Sequence, residues 1–127
     1  HETVEQALIH FQHYFFSIEH PLRTRKHIST PERHSACKRL NMYLRWMVRK
    51  DRNGVDFGIW TKIKPSQLIC PLDVHVARVA ERLGLIGNTK SNWSNALQLT
   101  ASLREMNPKD PAAYDYALFS IGASERL

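Results

Sequence analysis

A carboxylate at a helix start, with a row of cations upstream, makes up the set of residues whose types and spacing could do chemistry. Asp73 follows Pro71 and precedes the apolar-periodic stretch 74–83, where a side-chain oxygen accepts a backbone N–H of the first helical turn. A carboxylate there can take a proton or stabilise a developing positive charge, and it can equally be a cap with no other duty. His75, in that first turn, reads as a hydrogen-bonding partner for nearby backbone. Upstream, Lys38, Arg45, Arg49 and Arg52 recur at steps of seven, four and three, so they share one face of a helix. Such a row suits a polyanion, because each cation that neutralises a phosphate releases counterions. A solvated basic surface is the other reading.

The elements that must position these groups are helical. Residues 3–18 predict an amphipathic helix with Val4, Ala7, Leu8, Phe11, Tyr14, Phe15 and Ile18 on its core face. Residues 19–31, with Pro21 and Pro31, predict an exposed connection. Ser35 predicts the N-cap of a second helix reaching about Lys50, its apolar stripe made of Cys37, Leu40, Leu44, Met47 and Val48. Residues 51–54 predict a turn, and 55–63 a short apolar piece of one or two helical turns before Pro65. Asp73 caps a helix over 74–83, stopped by Gly84 in the left-handed conformation. Asn92 or Ser91 caps the next, with Trp93, Ala96, Leu97, Thr100, Leu103 and Met106 as its stripe and Asn107-Pro108 as its end. Asp110-Pro111 opens a last helix through Tyr114, Leu118 and Ile121 to Gly122. With no strand pattern, Gly-rich phosphate loop or repeat, the predicted class is all-α.

A chain of 127 residues, 43% hydrophobic and 24% charged, is assigned to a single helical domain over 1–127. The formal charge of +6 is uneven: positions 20–52 hold ten Lys or Arg against Glu32 and Asp51, a local +8 that leaves −2 elsewhere. Cys37 and Cys70 form no CxxC pair and are too few for a thiolate cluster. They predict buried thiols in a reducing cytoplasm, with no metal or other cofactor. His13, His20, His27 and His34 recur every seven residues, but Pro21 and Pro31 break any helix that would align them. No apolar run nears the roughly 20 residues of a membrane span, so no membrane partner is expected and the localisation is cytoplasmic. The first residue is His rather than Met, so a fragment or processed form of a longer protein is expected.

Particular motifs add a resemblance. Leu72-Asp-Val-His-Val-x-Arg-Val79 followed by Arg82-Leu-Gly-Leu85 resembles the helix start that carries the catalytic aspartate in the helix-hairpin-helix DNA glycosylases, the superfamily of endonuclease III and 8-oxoguanine glycosylase. A closer resemblance is to a bacterial family catalogued as a domain of unknown function, regarded as a distant relative of those enzymes. It rests on Lys38-Arg-Leu-Asn-Met-Tyr-Leu-Arg-Trp-Met-Val-Arg49, Asp56-Phe-Gly-Ile-Trp60, Pro71-Leu-Asp-Val-His-Val76 and Asp115-Tyr-Ala-Leu-Phe119. That likeness covers roughly 35–122 and implies a further N-terminal portion, with this chain as a C-terminal part.

The resemblance implies a glycosylase-like helical fold, double-stranded DNA as partner, and excision of a damaged base with Asp73 as the catalytic carboxylate. Bifunctional members carry a nucleophilic lysine just after a glycine-rich hairpin. Here Gly54-Val-Asp-Phe-Gly58 stands at that place with no lysine, and the iron–sulfur ligands of endonuclease III are missing. The longer separation of the archaeal 8-oxoguanine enzymes makes Lys38, thirty-five residues before Asp73, the nucleophile candidate, aided by the cations Arg39 and Arg45. Arg39, Arg45, Arg49, His75 and Arg78 are the expected DNA contacts, with Arg23 and Arg25 adding charge, and Trp46 and Trp60 are candidates for stacking on a base. A non-catalytic DNA-binding or structural module that keeps the fold without the chemistry is the alternative, and a helical domain meeting an acidic protein partner is a third.

Overall fold

The computed structural model describes residues 3–50 and 56–125; the predicted turn at 51–54, Arg52 and Val55 lie outside the described residues. The described residues form five α-helices: α1 (Glu5–Phe16), α2 (Lys38–Val48), α3 (Val74–Arg82), α4 (Trp93–Met106) and α5 (Asp115–Glu125). Short 3₁₀ segments at Leu22–His27, Pro31–Arg33, Pro65–Gln67 and Pro111–Tyr114 connect them. The described residues contain no strand, only isolated bridges between Ser35 and Asn92 and between Lys50 and Phe57. The architecture is all-α, and no helix among the described residues is long and apolar enough to cross a membrane.

Local chemistry explains where α3 and α4 begin and end. Asp73 accepts the Val76 N–H at 2.9 Å, and Asn92 accepts the Asn95 N–H at 2.8 Å, so both helices are capped by the residues their sequences predict. Beyond α3, Gly84 takes a φ of +75° while its N–H reaches the Glu81 carbonyl and the Leu85 N–H reaches that of Ala80. That pair of bonds satisfies two carbonyls the helix itself leaves free.

Three boundaries differ from expectation. Ser35 does not cap α2; its hydroxyl accepts the Cys37 N–H at 3.0 Å and tightens the approach, while Cys37 holds the cap position with φ of 52°. Residues 56–63 form no helical turn. They run irregularly past the end of α2, where Phe57 and Gly58 donate to the Trp46 carbonyl and Trp60 donates to that of Met47. Carbonyls at a helix C-terminus need outside donors, and a passing non-helical segment supplies several. Finally, α5 runs through Gly122 instead of ending there. A Cβ on Gly122 would stand 2.6 Å from the His75 carbonyl oxygen, so this glycine lets α5 close on α3.

The core lies between α2, α3, α4 and the irregular run 68–72. Leu68, Ile69, Cys70 and Leu72 are fully buried, and the Cys70 N–H donates to the Thr100 hydroxyl, which donates in turn to the Ala96 carbonyl. Irregular backbone can sit in a core only if its polar groups are satisfied in this way. The predicted core face of α1 is correct only at its start: Val4 and Leu8 are buried, whereas Ala7, Phe11, Tyr14, Phe15 and Ile18 are exposed. The start of α1 is tied down by the Val4 N–H to Gln67 and by the Trp93 indole N–H to the Glu5 carboxylate. Its second half lies against the Pro31–Arg33 turn instead of an apolar layer.

Candidate functional site

The helix cap of α3 and the first residue of α2 meet. Asp73 presents Oδ1 to the Val76 N–H, and its Oδ2 accepts from the Lys38 ammonium at 2.9 Å. Residues 35 positions apart thereby form an ion pair at the surface, with the Asp73 side chain 16% and the Lys38 side chain 45% exposed. His75 completes a small cluster. Its Nδ1 stands 3.7 Å from Asp73 Oδ2, facing that carboxylate and not the backbone, and its ring meets Phe119 of α5 edge-on with centroids 5.8 Å apart. The Lys38 ammonium lies 5.7 Å from the Phe119 ring centre, so one phenyl ring meets both the ammonium and the imidazole. Partial burial acts to raise the Asp73 carboxyl, but the Val76 N–H, the Lys38 ammonium and His75 outweigh it and hold the group below the usual carboxylate range.

Beside the pair is a hollow of about 150 Å³. Lys38, Asp73, Arg45, Asp115, Tyr116 and Phe119 stand around it, so α2, α5 and the cap of α3 each contribute.

Beneath this surface runs a line of alternating charges. Asp115 receives Arg45 Nε at 2.8 Å, and Arg45 Nη1 meets Asp56 at 2.7 Å. Asp56 also takes Arg49 Nη1 at 2.6 Å, and Arg49 forks onto Asp110 with bonds of 2.8 and 2.9 Å. Three carboxylates thus share two guanidiniums, binding α2 to the 56–60 segment and to the connection into α5. The Asp115 carboxyl is raised, because burial disfavours its charge by more than Arg45 and the Tyr116 N–H favour it. The Arg49 guanidinium is raised, chiefly by its bond to Asp110 against the opposing cost of burial.

The expected site residues therefore separate into two groups. Lys38, Asp73 and His75 come together, with Arg39 exposed next to Lys38 and Arg78 exposed one turn beyond His75. Arg45 and Arg49 do not line a free basic face: Arg45 is buried and both are bonded to aspartates inside the fold. In this arrangement neither guanidinium is free to grip a phosphate, and Arg45 cannot act as an uncompensated cation beside Lys38. Trp60 packs edge-on against Tyr43 and lines a different groove, between α1 and α2, and Trp46 is absent from the hollow. The aromatic residues at the hollow are Tyr116 and Phe119.

The sequence alone assigns no role to Asp56, Asp110, Asp115 or Phe119. Asp115 and Phe119 did carry a signal, being four residues apart and so on one face of the last helix. The partners of Arg45 lie 11 and 70 residues away, at separations no periodicity marks. Both cysteines are buried and free, and burial, ahead of any other influence, raises each thiol, Cys70 strongly. The described residues hold no group of three or more His, Cys, Asp or Glu arranged to bind a metal ion. His13 pairs with Glu32, and His20 with the Ile18 carbonyl and Arg25.

A protein-family model described as "Protein of unknown function (DUF2400)" matches residues 1–124. The chain belongs to the DUF2400 family. The match takes in α1 and the 3₁₀ segments after it, so it reaches further than the 35–122 span over which the motifs were apparent. No curated protein and no solved structure matches this DUF2400 chain. None of these comparisons links the chain to the DNA glycosylases.

Proposed function

We propose that this DUF2400 chain is a DNA-binding protein of the helix-hairpin-helix glycosylase type, excising a damaged or modified base at Lys38 and Asp73. The convergence of those two residues at 2.9 Å, from separate helices, carries the reading. The motif resemblance points to them as nucleophile and catalytic carboxylate, and they meet beside a hollow with two aromatic side chains at its edge. In this reading a target nucleotide turns out of the duplex and its base rests against Tyr116 and Phe119. Lys38 passes a proton to Asp73, and the freed amine attacks the anomeric carbon as the bond to the base breaks. The base leaves with the bonding electron pair and takes the proton from Asp73, and the ring C–O bond then opens, its oxygen gaining a proton from the attached nitrogen, to turn the adduct into a Schiff base. Asp73, ionised again, stabilises the positive charge that develops on the sugar. A DNA substrate also fits a cytoplasmic location.

A duplex carrying one natural abasic site, incubated with borohydride, tests the chemistry whichever base the protein excises. The chain yields a covalent adduct, and Lys38→Ala yields none. An adduct that persists in the variant assigns the reaction to another amine. No adduct with the unaltered chain overturns the catalytic reading and leaves the alternative, a DNA-binding or structural module without chemistry. One observation favours that alternative: both Asp73 oxygens already have partners that serve the fold.

A further inference from the structure

The charge count of the 20–52 region changes once its partners are known. Arg45 and Arg49 are neutralised by aspartates within the fold, and Lys38 by Asp73. Arg23, Arg25, Lys26 and Arg33 are different. All four are exposed, and none forms a salt bridge with a carboxylate among the described residues. They sit on the 3₁₀ segments Leu22–His27 and Pro31–Arg33, the second of which packs beside α1.

Two of them face a common space. An open, polar cleft of about 440 Å³ lies between α1 and these segments, with Arg25 and Arg33 on one side and Gln12, His13 and Ser17 of α1 and its end on the other. Arg25 is held in place: its Nε donates to His20 Nε2 at 3.2 Å, while His20 Nδ1 stands 2.7 Å from the Ile18 carbonyl. The carbonyl can only accept, so Nδ1 carries the proton and Nε2 is the acceptor, and both terminal nitrogens of Arg25 remain available. The carboxylate in the cleft, Glu32, is bonded to His13 and to neither arginine. Four cations near one carboxylate that bonds none of them leave a net positive charge that an anion can join, and a planar guanidinium held by its Nε suits a phosphate oxygen.

We infer that this cleft binds the phosphate backbone of a nucleic acid, with Arg25 and Arg33 as the contacts that grip it and Arg23 and Lys26 adding field. The inference rests on the DNA partner proposed above but not on chemistry at Lys38 and Asp73. A nucleic acid is favoured over a lipid surface because, Phe16 apart, the side chains that line the cleft are polar, whereas an acyl boundary would need apolar ones.

Binding to an undamaged duplex, measured by anisotropy over a salt series, tests it. Arg25→Ala with Arg33→Ala weakens affinity about tenfold at low salt and makes the log–log salt slope shallower by about 2. Glu32→Gln removes the negative charge from the cleft and tightens binding a few-fold, a gain that damage to the fold could not produce. If the chain binds duplex but both variants match it in affinity and slope, the cleft is not the contact and the proposed function stands without it. Failure of the unaltered chain to bind any duplex, or binding only to vesicles containing phosphatidylserine, overturns the inference together with the DNA reading.

Discussion

Asp73 uses one oxygen to cap α3 and the other to pair with Lys38, and substitution can separate these duties. Asparagine caps a helix about as well as aspartate, so Asp73→Asn should keep α3 while removing the charge. Asp73→Ala loses the cap too and should be less stable than Asp73→Asn by about 1 kcal/mol in urea unfolding. Both should abolish base release from a responsive substrate and leave duplex affinity nearly unchanged; release that survives in Asp73→Asn would remove the carboxylate from the mechanism. The sign of the pH dependence follows from the depressed Asp73 carboxyl. Its contribution to stability is complete above the ordinary carboxylate pKa of about 4 and fades as pH falls through the lower folded value. The stability gap between the unaltered chain and Asp73→Asn should therefore narrow in acid, and a gap indifferent to pH would mean that the ion pair adds nothing.

At the scale of elements, the buried charge line and Gly122 set how α2, α3 and α5 meet. Arg45→Met leaves Asp56 and Asp115 buried without their shared cation, a change that costs about 3–5 kcal/mol. Asp115 already sits above its ordinary range, so in the variant acid should restore part of the loss by protonating the carboxyls. Denaturation of Arg45→Met at neutral and at mildly acid pH checks this; a loss that deepens in acid would contradict it. Gly122→Ala pushes a methyl group against the His75 carbonyl and must separate α5 from α3, at a cost of about 1–3 kcal/mol. The same shift should displace Phe119 from His75, visible in the histidine ring resonances. Helix caps and the turn after α3 were legible in the sequence because they depend on residues within a few positions of one another. The 56–63 strap was not, because free carbonyls on Trp46 and Met47 fix its path, and those exist only once α2 has ended.

For the whole molecule, residues of α1, α2, α3, α4 and α5 join one continuous apolar cluster. Far-ultraviolet and near-ultraviolet circular dichroism should therefore report the same single unfolding transition, and two separated transitions would show that the helices do not share one core. The amino-acid sequence by itself determined the all-α class, both side-chain caps, the stripe of α2, that of α4 except the exposed Met106 and the buried Leu99 it left out, and Asp73 as a carboxylate at a helix start. These follow from backbone geometry and helical period, which short stretches of chain express alone. Only the tertiary structure decided which cations stay available to a partner. Lys38, Arg45 and Arg49 look alike on a helical projection, yet Arg45 turns inward to Asp115, seventy residues away, while Lys38 stays at the surface against Asp73. It also decided that most of the apolar face of α1 is exposed. Periodicity shows that a helix has a face, but whether that face is covered, or a charge is matched, depends on what the rest of the chain places against it.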